Sequence, residues 1–187
     1  MLLHRPVTPW QVCLFQRGLG IMDITFRTDA GVFNYRVCAI IKHNNKLLAM
    51  KNNKSSYYFL PGGRVNMHED TDTAIKRELK EELGIDAKVV RPLWLVQGFF
   101  IEDEIKEKFH ELCIYYLVDV SDTDLVNRER FAGLETKNNE IFEWLDVDTL
   151  NEQYLYPLFI KKRINDLPQQ LEMLTEREYE YHGQQEL

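Results

Sequence analysis

Glu78, Glu81 and Glu82 lie at i, i+3 and i+4 in the run "IKRELKEELGI", Ile75 to Ile85. On a helix turning about 100° per residue they share one arc of roughly 100°, beside an apolar stripe of Ile75, Leu79 and Leu83. Like charges at these spacings destabilise a helix. A divalent cation between them reverses the sign, and carboxylate oxygens are the donors that hard ions such as Mg²⁺ prefer. A charge run is most often a solvated face, and Lys76, Arg77 and Lys80 are partial support for that simpler reading. What sets this run apart is the turn before it. In "LPGG", Leu60 to Gly63, the adjacent Gly62 and Gly63 let the backbone turn tightly and approach a ligand.

The elements that must position these residues are readable. Asp70 or Asp72 serves as N-cap and Gly84 as the stop, so the spacing predicts a helix over about Thr71 to Leu83. Upstream, "FNYRVCAIIK" reads as a buried strand, and "HNNK" turns it into "LLAMK" as a hairpin. "YYFL" before Pro61 reads as a third short strand. Downstream, "AKVVRPLWLVQGFFI" and "FHELCIYYLVDV" are two long strands of an antiparallel ribbon, joined by the charged "EDEIKEK". "NEIFEWLDVDTL" adds a strand, and a helix is expected from about Leu150 to Leu167. The tail "QQLEMLTEREYEYHGQQEL" reads as polar and helical, with a stripe at Leu167, Leu171, Leu174, Tyr179 and Tyr181. It is expected to serve assembly or to cover the domain rather than to take part in chemistry. This order implies a mixed sheet with helices packed on it, an α/β or α+β fold.

At 187 residues the chain suits one domain with extra length at its ends. The expected division is an N-terminal extension or non-native start at 1–21, a domain at 22–165 and the tail at 166–187. The net charge of −7, from 30 acids and 23 bases, lacks the basic face of a sequence-independent nucleic-acid binder. It permits an anionic small substrate if cations come with it. The three cysteines, Cys13, Cys38 and Cys113, form no CxxC pair. They read as reduced, buried thiols of a cytoplasmic protein, not as a disulfide framework or zinc site. No run reaches the roughly 20 apolar residues of a membrane span.

Gly63, Glu69 and the run from Arg77 to Ile85 together resemble the Nudix box at every specified position. Looser similarity extends from about Phe33 to Lys162. The resemblance implies an α/β/α sandwich around a mixed sheet and an enzyme that hydrolyses a nucleoside diphosphate linked to another group. Water would attack phosphorus. Glu78, Glu81 and Glu82, with the Gly63 carbonyl, would hold Mg²⁺ or Mn²⁺, and one glutamate would act as base. Glu69 and Arg77 match the family's structural ion pair. Many members are homodimers, so a homodimer stands beside a monomer as an expectation.

Outside the box, Glu111 is the candidate second acid, against a plain cross-strand pair with Lys108. Arg36 and Arg64 are candidate phosphate contacts. Phe99 is the aromatic assigned to the nucleotide-type substrate, in a region rich in core aromatics. Cys38 and Cys113 read as core residues. ADP-ribose hydrolases of the family tend to carry a proline some 15 residues beyond the box, and dinucleoside-polyphosphate hydrolases a tyrosine slightly further on. Here Pro92 comes too soon and no tyrosine lies near Ile101. The broad reading is therefore a (d)NTP or nucleotide-sugar hydrolase. One rival is a nucleotide-sensing module of the same fold, which typically loses box glutamates; none is lost here. Another is the isopentenyl-diphosphate isomerase branch, which relies on a cysteine near the substrate.

Overall fold

Residues 31–43 form one long strand whose side chains alternate between two faces and whose two edges are both occupied. The computed structural model of the protein describes residues 22–53, 55–102, 105–135 and 139–178; the expected N-terminal extension lies outside them. After β1 (Thr25–Thr28), this strand is β2 (Gly31–His43). One edge of β2 pairs antiparallel with β1, then with β4 (Gly62–Arg64), then with β3 (Lys46–Lys51). The other edge pairs in parallel with β6 (Lys108–Asp119), from Val32↔Phe109 to Ile41↔Val118. β6 pairs antiparallel with β5 (Lys88–Ile101), as expected of the long ribbon. The register shifts on either side of Arg91–Pro92, where proline has no N–H to give the ladder. β7 (Arg130–Ala132) and β8 (Ile141–Asp146) extend the sheet beyond β3.

Strand parity divides the core into two layers. Val37, Ala39 and Ile41 face α1 (Thr71–Leu83), meeting its buried Ala74, Ile75, Leu79 and Leu83. Cys38 and Ile40 face the other way, toward Trp94, Tyr115 and the short α2 (Phe159–Arg163). The fold is thus an α/β/α sandwich on a mixed sheet. The ends of α1 fall where the caps place them: Asp70 accepts the Thr73 N–H at 2.9 Å, and Gly84 takes the left-handed conformation with φ 73°.

Three expectations are corrected. "YYFL" is not a strand of its own; Tyr58 and Phe59 make isolated bridges to Leu155 and Met50, and the strand is the glycine turn, β4. The helix expected over 150–167 breaks into a 3-10 turn at Leu150–Glu152 and α2, because Pro157 interrupts it. The tail is not helical where it is described. Residues Glu172–Arg177 form β9, parallel to β5 from Trp94↔Glu172 to Phe99↔Arg177. An open edge on β5 supplies hydrogen bonds that outweigh local helix preference, and Leu174 packs on the Trp94 layer. Tyr179 and Tyr181 lie outside the described residues.

Leu79 is fully buried between α1 and the sheet. Leu79→Ala should cost about 2–5 kcal/mol, read from urea unfolding. A loss below about 1 kcal/mol would mean that α1 is held by something other than this face.

Candidate active site

The three box glutamates differ in depth. Glu82 is 5% exposed, and the side chains of Glu78 and Glu81 are 14% and 46% exposed. Glu82 reaches inward because its Oε2 accepts the Gly62 N–H at 3.0 Å. The carbonyl of the same glycine accepts from Arg36 Nη2 at 3.3 Å. Gly62 has φ 133°, and a Cβ there would lie 2.2 Å from the Val37 carbonyl oxygen. Only glycine fits. Gly63 has a different reason to be small: a Cβ there would lie 2.3 Å from the Glu78 carboxylate, which rests against its backbone.

Arg77 turns onto the acidic arc. Its long side chain folds back, donating to Glu78 at 2.7 Å and to Glu81 at 3.2 Å. It also forms the expected pair with Glu69, with Nε and Nη2 contacts of 2.8 and 2.9 Å, and donates to the Arg64 carbonyl at 2.9 Å. Glu69 in turn accepts the Asn66 N–H at 3.0 Å. This bidentate pair fastens the loop between β4 and α1.

Burial pushes the Glu82 carboxyl well above the ordinary glutamate range, helped by the charges of Glu140 and Glu78. Burial also raises Glu78, against the pull of Arg77. Glu140 was invisible in the sequence. It is 6% exposed, and two backbone bonds bring it to Glu82: Leu134 N–H to the Glu82 carbonyl at 2.8 Å and Gly133 N–H to the Glu140 carbonyl at 2.9 Å. No spacing rule links residues so far apart in the chain. The donors gathered here are hard carboxylate oxygens, a set that fits Mg²⁺ or Mn²⁺. Among the described residues no three His, Cys, Asp or Glu groups stand close enough to enclose an ion. Glu78 and Glu81 are turned onto Arg77 and Glu82 onto Gly62.

Across Gly62 lies a cavity of about 470 Å³. Arg36, Arg64, Cys38, Glu111 and Cys113 line it together. Glu111 faces Arg36 at 3.8 Å, not Lys108. Burial raises its carboxyl despite Arg36 and a hydrogen bond with Asn34. Burial alone would lower the Arg36 pKa, but Glu111 together with Cys38, Cys113 and Tyr115 outweighs it and the net direction is up. Arg64 donates to Asn34 at 3.1 Å and pairs with Asp23 at 3.4 Å. Phe99 is on the wrong face: it stacks on His110, centroids 4.4 Å apart, with Arg177 over it at 5.3 Å. Its neighbour Phe100 lines the cavity and stacks on Phe109 at 5.1 Å. Tyr57 and Tyr156, in edge contact at 5.0 Å, form another part of the wall. The buried Cys38 and Cys113 are core residues that also reach this cavity.

The two glycines should separate stability from function. Gly62→Ala must shift backbone and should cost roughly 1–3 kcal/mol or more. Gly63→Ala displaces only the Glu78 carboxylate, so its melting temperature should stay near wild type while activity falls. Equal melting losses in both would refute the distinction. The Glu69–Arg77 pair makes a separate prediction in pH. Hydrogen bonding from Arg77 holds Glu69 below its ordinary value of 4.5. Its stabilisation is therefore complete above that pH and is lost as pH falls through the depressed value. Glu69→Gln should cost roughly 1–3 kcal/mol at pH 7, and the gap to wild type should close in acid. A gap constant with pH would contradict it.

The family model for the NUDIX domain matches residues 33–165. An ADP-ribose pyrophosphatase of Methanocaldococcus jannaschii is 31% identical over 110 residues, covering 57% of this chain and 60% of that one. The mRNA-decapping protein D10 of Fowlpox virus is 28% identical over 125 residues, covering 63% and 53%. The chain thus spans between half and three-fifths of these relatives' length. Among solved structures, the MutT protein of Bacillus halodurans superposes with a TM-score of 0.54 at 15% identity, covering 77% of this chain and 89% of that one; that likeness concerns the fold. Among the described residues no helix is long and apolar enough to cross a membrane. The matched span holds the glycine turn, the Glu69–Arg77 pair and the acidic helix in one folded unit, and the chain belongs to the Nudix family.

Proposed function

We propose that the protein is a divalent-metal-dependent pyrophosphohydrolase that cleaves the diphosphate linkage of a nucleotide-type substrate, a nucleoside diphosphate joined to another group. One observation carries this reading: Gly62 joins the carboxylate end of α1 to the cationic end of a ligand-sized cavity. Its N–H holds Glu82 and its carbonyl holds Arg36. Arg36 in turn acts electrostatically on Glu78, Glu82 and Glu111.

In this reading Glu78, Glu81 and Glu82, with the Gly63 carbonyl, would hold Mg²⁺ or Mn²⁺, and Arg77 would release Glu78 and Glu81 to do so. When bound, the metal would offset diphosphate charge and lower the pKa of a water. Arg36 and Arg64 orient phosphate oxygens from the cavity side. Glu111, whose carboxyl burial raises above the ordinary glutamate value, would take a proton from the attacking water. Phe100 and Phe109, rather than Phe99, offer the face on which a base or sugar would rest.

A second reading, proton transfer on an isoprenoid diphosphate, draws on one observation: Cys38 and Cys113 reach the cavity beside Arg36 and Glu111. Phosphate-bond cleavage assayed over nucleoside triphosphates, nucleotide sugars and isoprenoid diphosphates separates the readings. The hydrolase reading expects cleavage of a nucleotide substrate, loss of it in excess EDTA and recovery with Mg²⁺ or Mn²⁺. Glu82→Gln should lower kcat by about 10²–10⁴ without lowering the melting temperature of the metal-free protein. Full activity in EDTA, or in Glu82→Gln, would refute it.

A further inference from the structure

The strand β9 lies beyond residues 33–165, the span that matches the family, yet it forms part of the cavity wall. Its parity is regular. Leu174 packs on the core layer next to α2, Met173 is 70% exposed, and Arg177 covers Phe99 on the opposite face. Glu176 therefore faces the same side as Leu174, toward the cavity that it lines. Glu178 fastens the strand at that end, accepting the Leu158 N–H at 2.8 Å.

Register places Glu176 in a single row across the sheet. Asn34 of β2 is opposite Glu111 of β6, Glu111 is opposite Gly98 of β5, and Gly98 is opposite Glu176 of β9. All four line the cavity. Two strand spacings separate Glu111 from Glu176, about 9–10 Å between their backbones. Between them the floor is a glycine. Nothing in the backbone demands it: a Cβ on Gly98 would make ordinary contacts, 3.8 Å to Glu111 Cβ and 3.9 Å to Phe100. What glycine provides here is room. Glu111 already faces Arg36, whereas the Glu176 side chain makes no hydrogen bond or ion pair with any described residue.

Charge is distributed unevenly along this wall. Arg36 and Arg64 stand at the end next to the glycine turn; Glu176 stands at the far side of Gly98, with Glu102 and Glu178 also on the wall. Among the described lining residues the remaining cation is Lys106, in the turn between β5 and β6. A substrate with its diphosphate at Arg36 would thus extend its next group over Gly98 toward a carboxylate with no side-chain partner among the described residues.

We propose that Glu176 is a specificity-determining residue of the site, selecting substrates whose group beyond the diphosphate offers N–H or O–H donors and carries no further negative charge. The inference rests on the hydrolase reading above. Donors of this kind come from the hydroxyls of a sugar or from the edge of a nucleobase. A site built to accept such hydrogen bonds discriminates strongly against groups that lack them, and a carboxylate repels an additional phosphate.

The test is steady-state kinetics of wild type, Glu176→Gln, Glu176→Lys and Gly98→Val on three arms. One arm is ADP-ribose and UDP-glucose, the second is dGTP and dTTP, and the third is ADP-ribose phosphorylated on its distal ribose. Glu176→Gln should raise KM by roughly tenfold on the arm that supplies the donors, with kcat much less affected. The sugar arm moves if hydroxyls are bound; dGTP moves more than dTTP if a base edge is. Glu176→Lys should shift kcat/KM toward the distal phosphate by at least tenfold relative to ADP-ribose. Gly98→Val should raise KM on the same arm while the protein keeps its melting temperature. Unchanged preferences in both Glu176 variants, or equal losses on every arm, would overturn the proposal while leaving the hydrolase reading intact. A wild-type protein silent on every arm would overturn both.

Discussion

Gly62 is the residue on which the site turns. It donates to Glu82 on one side and accepts from Arg36 on the other. Its positive φ and the 2.2 Å approach to the Val37 carbonyl leave no space for a side chain. A buried carboxylate without a hydrogen bond is costly, so this one donor both makes the depth of Glu82 tolerable and sets the distance from α1 to β2. The rest of the architecture keeps that arrangement rigid. Ile75, Leu79 and Leu83 anchor the helix on one face of β2, and the Glu69–Arg77 pair ties the intervening loop to the helix.

Two arginines divide the electrostatic work. Arg77 gathers Glu69, Glu78 and Glu81 on the outer side of the turn. Arg36 faces Glu111 on the cavity side. Glu82 has neither arginine as a direct partner and is raised by burial, Glu140 and Glu78. The protein therefore concentrates carboxylate at one buried point and leaves the positive complement short there. Stability of the metal-free fold and affinity for a cation should oppose each other at this point, since the repulsion that costs the one is what the other relieves.

Much of this was legible in the sequence because it is local. Asp70 and Gly84 bound α1 through caps that act within a few residues, and the spacing of Glu78, Glu81 and Glu82 puts them on one side of the helix whatever surrounds it. What was not legible depends on partners far along the chain. Glu111 met Arg36 instead of Lys108 because β6 pairs in parallel with β2, a pairing no local pattern announces. Phe99 was misplaced by one residue, and strand parity turns one residue into the opposite face. Glu140 reaches Glu82 only through the loop at Gly133–Leu134. The tail misled for a different reason. Leu167, Leu171 and Leu174 fit a helical stripe, but the open edge of β5 decides the matter, and only the shorter alternation of Leu174 and Glu176 against Met173 and Thr175 matches the strand.

The proposed divalent-cation site lies among the carboxylates around Gly62. It is tested most directly without any substrate, by titrating the protein with Mn²⁺ and following free ion by electron paramagnetic resonance. Wild type should bind at least one Mn²⁺ per chain, competed by Mg²⁺, and Glu82→Gln should lose that binding while Glu176→Gln retains it. Mn²⁺ binding of equal strength and stoichiometry in wild type and Glu82→Gln would contradict the account.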